Sequence, residues 1–162
     1  MTTKEYNDSV EEYADNVYRF ILSNLKDEEL SRDIVQDTYE RLWINHEKVD
    51  AKKVRSYLFT TAHNRMIDMK RKNKYAQHLD EIHDVSSSYH DDHYSDLSEV
   101  LNSVLNDLNE TQRSVLLLRD YESYSYKEIA EITGLTESQV KVYIYRARSA
   151  MKEKIGSIEA II

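Results

Sequence analysis

The sequence predicts an all-α protein with two small helical domains joined by a flexible acidic linker. Its 162 residues include no proline and only 2 glycines, the two residues that most often interrupt helices. Apolar residues recur at helical spacings of three and four along most of the chain, and no run alternates as a strand does. This period fades between residues 77 and 96, so we assign residues 1–76 and 97–162 to separate domains.

Three amphipathic helices are predicted in the N-terminal domain. They extend from about Tyr6 to Leu25, from Glu28 to His46 and from Lys52 to Tyr75, and each has one apolar face. The predicted core positions are Tyr13, Val17, Phe20, Ile21, Leu25, Leu30, Ile34, Val35, Tyr39, Leu42, Val54, Leu58, Thr61, Ala62, Met66 and Met69. Trp43 is also expected in the core.

Residues 77–96 are predicted to form the flexible linker. Three consecutive serines, 86 to 88, lie in it, and acidic groups replace basic ones. Its negative charge could cover basic surfaces of the free protein, or the segment could be a plain solubilising tether. His90 and His93 could ligate a metal, but a His-rich linker arises more often by chance, so we predict no metal site and no cofactor.

The C-terminal domain is predicted to consist of short helices that include a helix-turn-helix. Apolar positions recur from Leu97 to Leu108, and Asn109 with Gln112 forms a capping box that starts the next helix. That helix would bury Val115, Leu116 and Leu118.

Two capping boxes on either side of a glycine mark the helix-turn-helix. Ser125 with Glu128 fits the first box, and Thr136 with Gln139 fits the second. Gly134 lies between them, where a tight turn favours a residue without a side chain. The second helix would bury Val140, Ile144, Ala147 and Met151.

The exposed face of this second helix has the size and chemistry to enter a DNA major groove. Lys141 and Arg146 suit guanine or phosphate oxygens, and Tyr145 suits a sugar or a thymine methyl group. Ser138 and Val142 complete the face. The alternative is a helical hairpin whose cations only keep it soluble.

Charge is strongly segregated along the chain, whose net charge is −8. Residues 52–74 carry eight basic groups and one acid, and residues 138–162 carry five basic groups and two acids. The net charge is −7 over residues 1–51 and −9 over residues 75–110. Because local patches set the field that a polyanion meets, the two basic helices are compatible with nucleic-acid binding.

The chain resembles the extracytoplasmic-function group of bacterial sigma factors over nearly its whole length. Residues 33–43 (DIVQDTYERLW) resemble the segment that docks on the clamp helices of the polymerase largest subunit. Residues 56–68 (SYLFTTAHNRMID) resemble the helix that captures and opens the −10 promoter element. Residues 108–148 resemble the domain that reads the −35 element, through the segments 113–119, 126–130, 140–141 and 146–148.

The resemblance implies binding residues and no catalytic ones. Those implied for polymerase docking are Asp33, Gln36, Asp37 and Glu40. Those implied for binding and melting the −10 element are Tyr57, Asn64, Arg65, Asp68, Lys70, Arg71 and Lys72. Those implied for the −35 element are Arg113, Tyr126, Ser138, Lys141, Val142, Tyr145, Arg146 and Arg148.

The implied partners are core RNA polymerase, promoter DNA and an anti-sigma protein. Polymerase would be bound through the clamp helices of its largest subunit and the flap of its second-largest subunit. Val142 and Tyr143 stand where small polar or basic residues are frequent in the family, so the resemblance implies no particular promoter sequence.

Simpler explanations compete with several of these roles. The cluster around Asp33 could be a solvated acidic face. Arg65 could pair with Asp68 within its own helix. At least one of Tyr57 and Phe59 is expected in the core.

Two other functions fit parts of the sequence. A stand-alone helix-turn-helix regulator would use the C-terminal half but leaves residues 33–43 and the basic third helix without a task. A metal-dependent hydrolase would need a rigid site that the loose linker does not supply. Its candidate ligands are His78, His83, His90, Asp91, Asp92 and His93.

The sequence also predicts where the protein acts. No apolar stretch is long enough to span a membrane, and the N-terminus is acidic, so neither membrane insertion nor a signal peptide is expected. A location in the bacterial cytoplasm follows.

Overall fold

The computed structural model describes residues 1–79 and 96–159, which form two separate compact units. Within these ranges all regular secondary structure is helical, so the predicted all-α fold of two helical domains is confirmed. The predicted linker falls almost entirely outside the described residues, as do His90 and His93. The linker and its boundaries therefore stay predictions.

Three helices form the N-terminal unit. Helix α1 spans Thr3–Leu25, α2 spans Glu28–Asn45 and α3 spans Val54–Leu79, and a 3-10 turn at Ala51–Lys53 leads into α3. Each helix packs against the other two. The three predicted helices are confirmed, and α3 continues past its predicted end at Tyr75.

One apolar core joins these helices. The rings of Phe20 and Phe59 meet edge to face in it, with 5.7 Å between centroids. The buried apolar side chains are Val17, Phe20, Ile21, Ile34, Tyr39, Leu42, Val54, Leu58, Phe59, Ala62 and Met66. The other predicted core positions are half-buried at its edge: Tyr13, Leu25, Leu30, Val35, Thr61 and Met69.

Side-chain caps determine where α1 and α2 begin. Thr2 Oγ1 accepts a hydrogen bond from the Glu5 N–H at 3.1 Å, and Glu5 Oε2 accepts one from the Thr2 N–H at 2.8 Å. Asp27 Oδ1 caps α2 by accepting from the Leu30 N–H at 3.0 Å. Because the Thr2 capping box starts α1 at Thr3, the helix begins three residues before its predicted start at Tyr6.

Tyr39 ties α2 to α1. Its hydroxyl donates to the Ser9 carbonyl at 2.7 Å, and the Tyr6 hydroxyl donates to the Tyr39 carbonyl at 3.2 Å. Burial of the hydroxyl raises the pKa of Tyr39 well above its ordinary value. These bonds fix the position of α2, whose opposite face is exposed.

The prediction that Trp43 lies in the core is wrong. Its side chain is 45% exposed, and its ring stacks on His46 with 4.6 Å between centroids. Leu42 is the last fully buried residue of α2, and the next residue lies about 100° further round the helix. Trp43 therefore covers the edge of the core and leaves part of its ring in solvent.

The C-terminal unit is built from α4 (Asp96–Asp107), α5 (Glu110–Leu116), α6 (Tyr126–Thr133) and α7 (Glu137–Glu159). A π-helical segment, Leu117–Tyr121, continues α5. The buried apolar side chains are Val104, Leu105, Leu108, Val115, Leu116, Leu117, Leu118, Tyr124, Ile129, Ile132, Val140, Ile144 and Ala147.

Helices α6 and α7 form the predicted helix-turn-helix. Thr136 Oγ1 accepts from the Gln139 N–H at 3.1 Å, and Gln139 Oε1 accepts from the Thr136 N–H at 2.9 Å. Ser125 Oγ caps α6 by accepting from the Glu128 N–H at 3.1 Å. Gly134 ends α6 in the left-handed conformation, with φ of 78°. The predicted turn and the Thr136 capping box are confirmed. At Ser125 the predicted N-cap is confirmed, but the Glu128 carboxylate accepts from Ser125 Oγ at 3.1 Å, so this pair forms only half of the predicted capping box.

The described helices also bear on membrane insertion. Across residues 1–79 and 96–159, none of the helices combines the length and the apolar character needed to cross a membrane.

Candidate functional sites

The exposed face of α2 carries the four residues predicted to bind polymerase. Asp33, Gln36 and Glu40 project into solvent, and Asp37 is partly covered. Spacings of three and four place all four in one row along the helix. The structure therefore brings these residues together on one accessible surface, which we call the α2 face.

The α2 face continues into an apolar end. Ile44 is 71% exposed and lies four residues after Glu40, beside the half-exposed ring of Trp43. Ile44 was not predicted as part of a site, and Trp43, the last residue of the segment that resembles a docking segment, was expected in the core. The available signal was that Ile44 falls outside the apolar stripe of α2, and a large apolar residue outside the stripe indicates an interaction surface.

Helix α3 presents a second row, the α3 row, whose members are exposed except for the half-buried Tyr57. It consists of Tyr57, Asn64, Asp68, Arg71 and Tyr75, separated by seven, four, three and four residues, which is one helical face. Tyr75 is 69% exposed and was not predicted as a site residue, although its spacing from Arg71 placed it in the row. Lys70 and Lys72 flank the row.

Tyr57 is anchored to α2 at the start of the α3 row. Its hydroxyl accepts a hydrogen bond from Asn45 Nδ2 at 3.3 Å and lies 3.5 Å from the Arg41 carbonyl. Phe59 is completely buried, which confirms that at least one of the two aromatic residues packs in the core. Tyr57, which the resemblance implies for binding and melting the −10 element, is half-buried.

Arg65 is paired with α2 and not with its own helix. Its Nε donates to Asp37 Oδ2 at 3.0 Å. The alternative pairing with Asp68, considered from the sequence, is wrong. Arg65, which is predicted to contact the −10 element, is therefore bonded to Asp37, which is predicted to contact polymerase.

The exposed face of α7 agrees with the prediction for a recognition helix. Val140, Ile144 and Ala147 are buried, which turns the opposite side of the helix outward. The exposed residues on that side are Ser138, Lys141, Val142, Tyr145 and Arg146, and Tyr145 is 73% exposed. Their contact with DNA stays a prediction.

A basic cluster surrounds Tyr126 beside this face. The guanidinium carbon of Arg119 lies 4.8 Å from the Tyr126 ring centroid, and Lys141 Nζ lies 5.9 Å from it. Arg148 Nη2 donates to Asp120 Oδ1 at 2.5 Å, and this hydrogen bond raises the pKa of Arg148. Tyr126, Lys141 and Arg148 were predicted site residues, and the structure brings them together.

Arg119 is a candidate that was not predicted as a site residue. It contributes to the basic cluster while its Nη1 donates to the Tyr124 carbonyl at 2.8 Å. In the sequence, Tyr126 follows Arg119 by seven positions. The two side chains meet because of the turn between α5 and α6, so the sequence alone does not predict their contact.

Arg113 lies apart from the basic cluster and closes the end of α4. Its Nε donates to the Leu105 carbonyl at 2.9 Å, and its Nη2 donates to the Leu108 carbonyl at 2.8 Å. Burial lowers the pKa of its guanidinium. Its predicted contact with DNA stays a prediction, beside this structural role.

Catalytic metal chemistry has no candidate site in the described residues. Among their side chains, no three or more His, Asp or Glu residues come close enough together to hold a metal ion. His83, His90, Asp91, Asp92 and His93 lie outside them, and the side chain of His78 is not described.

Two family descriptions match the chain in order. Sigma-70 region 2 matches residues 9–76, and Sigma-70, region 4 matches residues 98–151. The first match runs from within α1 to within α3, and the second runs from within α4 through most of α7.

Relatives of known sequence extend this match over most of the chain. The ECF RNA polymerase sigma factor SigM of Bacillus subtilis is 32% identical over 146 residues, covering 86% of this chain and 88% of SigM. The ferric citrate uptake sigma factor FecI of Escherichia coli is 31% identical, covering 71% of this chain and 70% of FecI.

Solved structures share the fold. The sigma factor RpoE of Bartonella quintana, solved with the anti-sigma factor NepR, gives a TM-score of 0.81 at 24% identity, covering 95% of this chain and 98% of RpoE. CnrH, solved with the cytosolic domain of CnrY, gives a TM-score of 0.70 at 22% identity, covering 96% of this chain and 90% of CnrH. On the two family matches and the likeness to SigM, the chain belongs to the extracytoplasmic-function sigma factors of bacterial RNA polymerase.

Proposed function

We propose that this sigma factor uses three of its exposed surfaces for three tasks. The α2 face docks on core polymerase, the α3 row captures and opens the −10 element, and the exposed face of α7 reads the −35 element. The observation that carries the proposal is that these surfaces consist of polar, basic and aromatic side chains which the core packing of each unit leaves accessible.

The α2 face supports docking by its chemistry. Asp33, Gln36 and Glu40 offer hydrogen-bond acceptors in one row, and Ile44 adds apolar area that the fold itself does not use. An interface needs both: polar groups for register and buried apolar area for affinity. We assign the clamp helices of the largest polymerase subunit as the surface that the α2 face contacts.

The α3 row supports capture of unpaired DNA. Arg71 and Lys72 can neutralise phosphates, and each such contact steepens the salt dependence of binding. A base that stacks on an aromatic ring gains about 1–3 kcal/mol, which offsets part of the cost of unpairing. Tyr57 and Tyr75 offer rings at the two ends of the row, with Asn64 and Asp68 between them.

The exposed face of α7 supports reading of duplex DNA. Lys141 and Arg146 can bind guanine or phosphate, and Tyr145 can pack against a sugar or a thymine methyl group. The basic cluster around Tyr126 lies at the start of α6, where backbone N–H groups also point outward. We assign Arg119 and Arg148 to the phosphates that flank the bases read by α7.

Further partners follow from the family. We assign the flap of the second-largest polymerase subunit to the C-terminal unit. We also propose control by an anti-sigma protein, because RpoE, which shares the fold, was solved with one. The synthesis of RNA would belong to the polymerase, and the protein would act in the bacterial cytoplasm, where polymerase and DNA are.

The stand-alone regulator is not favoured. It leaves the α2 face and the α3 row without a function, although residues 9–76, which include both, match Sigma-70 region 2. The hydrolase would rely on the His and Asp residues of the predicted linker, and none of the described sites supports it.

A co-elution experiment with bacterial core RNA polymerase tests the docking proposal. The unaltered chain should co-elute with the core enzyme, and the combined change Asp33→Ala with Asp37→Ala should abolish this. The control is Asp8→Ala with Asp15→Ala, which removes the same charge from the exposed side of α1. Loss of binding in the control as well, or retention in the α2 variant, would contradict the assignment.

A further inference from the structure

Arg65 is directed toward the α2 face. Its ion pair with Asp37 joins two helices, and the two side chains are 26% and 40% exposed, respectively. The other two acids of the α2 face have no such bridge: within the described part of the chain, the side chains of Asp33 and Glu40 have no ion-pair partner. Arg65 therefore fixes the orientation of Asp37, one of the four predicted docking residues of the α2 face.

Arg65 also lies outside the α3 row. Asn64 and Asp68 belong to the row and are exposed, whereas Arg65 lies about 100° round the helix from Asn64 and is half-buried. A guanidinium held on that side is poorly placed to contact an extruded base in the row.

The bond leaves Asp37 able to bind a partner. A carboxylate offers about four acceptor positions, and the Nε of Arg65 occupies one of them. A side chain whose orientation is fixed in advance loses less entropy on docking than one that rotates freely.

We propose that Arg65 is a positioning residue of the α2 face, which holds Asp37 in the orientation that core polymerase binds. This inference rests on the proposed docking role of α2, and it replaces the predicted role of Arg65 as a contact to the −10 element.

Charge alone predicts the opposite effect of losing Arg65. Removing a cation makes the acidic face more negative, so a partner attracted by negative charge would bind equally well or more tightly. A weaker complex after the loss of Arg65 therefore distinguishes positioning from a contribution of charge.

The test is a double-mutant cycle on the affinity of the full chain for core RNA polymerase. As a single substitution, Arg65→Met should weaken binding to core polymerase about two- to tenfold. In a chain that already carries Asp37→Asn, it should weaken binding no further. Arg65→Lys keeps the charge but loses the planar fork of donors, so it should also weaken binding. Arg19→Met removes a guanidinium from α1 and should leave the affinity unchanged.

A second readout separates positioning from contact with DNA. When every polymerase carries the chain, permanganate should modify the unpaired thymines of an open promoter equally with Arg65→Met and with the unaltered chain. Three results would overturn the inference. One is reduced thymine modification with Arg65→Met when every polymerase carries the chain. The others are an unchanged affinity of Arg65→Met for core polymerase, and an effect of Arg65→Met on affinity that is as large in the Asp37→Asn chain as in the unaltered one. Failure of the unaltered chain to bind core polymerase would instead overturn the docking proposal itself, and this inference with it.

Discussion

Arg113, which is predicted to contact DNA, also stabilises the fold of its own unit. Its guanidinium donates to carbonyls at the C-terminal end of α4, where the last carbonyls of a helix have no partner within the helix. Cations are also favoured at that end by the helix dipole. Arg113 therefore stabilises the junction between α4 and α5.

Replacing Arg113 should destabilise the C-terminal unit. Arg113→Ala leaves the carbonyls of Leu105 and Leu108 without their charged donor, which costs about 1.5–3 kcal/mol of unfolding free energy. Chemical denaturation measures this cost. Arg146→Ala, at an exposed position on α7, is the matched control and should cost less than about 0.5 kcal/mol. Equal costs for the two variants would contradict the structural role of Arg113.

Ile44 should contribute to polymerase binding and not to folding. Ile44→Ser removes exposed apolar area, so we expect the affinity for core polymerase to fall about three- to tenfold with unchanged thermal stability. Val10→Ser on α1, another exposed apolar position, is the control and should leave the affinity unchanged. An unchanged affinity of Ile44→Ser would remove the apolar end from the α2 face.

At the scale of residues, the sequence predicted burial better than partners. Periodicity identified Ile34, Leu42 and Met66 as core residues, because burial depends mainly on position around the helix. It did not predict the bond from Arg65 to Asp37, since contacts between helices depend on how the helices pack.

At the scale of elements, capping patterns predicted helix starts that the structure confirms, such as the Thr136 box of α7. They succeed because the bonds involved lie within four residues of one another. The π-helical segment Leu117–Tyr121 was not predicted, because a shift in backbone hydrogen bonding leaves no comparable pattern in the sequence.

The two glycines should respond to alanine in opposite directions. Gly134 has a φ of 78°, so Gly134→Ala should cost about 1–2 kcal/mol of unfolding free energy through backbone strain. Gly156 lies within α7, so Gly156→Ala should stabilise the chain by up to about 1 kcal/mol. An added Cβ meets no atom within 4 Å at either position, so packing does not confound the comparison. Denaturation shifts of the same sign would contradict this account of the turn.

The exposed face of α7 should govern the salt dependence of duplex binding. Lys141→Ala with Arg146→Ala should lower the slope of log K against log salt by about 0.9 for each side chain that contacts a phosphate. The measurement is a titration at several salt concentrations on a duplex selected from a random pool. Lys4→Ala with Lys48→Ala removes the same charge from the N-terminal unit and should leave the slope unchanged.

At the scale of the whole molecule, we expect the proposed function to require both units on one chain. The N-terminal unit carries the α2 face and the α3 row, and the C-terminal unit carries the helix-turn-helix. A tether raises the effective concentration of the second site once the first is bound, so two weak contacts combine into a specific one. The loss of helical period over residues 77–96 predicted the division into two units, and the charge segregation indicated nucleic-acid binding that the net charge of −8 did not.

Mapping of transcription start sites tests the central claim most directly. Core RNA polymerase would transcribe fragmented genomic DNA from the source organism with and without the chain, and the 5′ ends of the RNA would be sequenced. We expect new start sites that share two upstream elements, and their loss with Asp33→Ala and Asp37→Ala together. If the chain binds core polymerase but no new start sites are found, the claim that it directs initiation is contradicted.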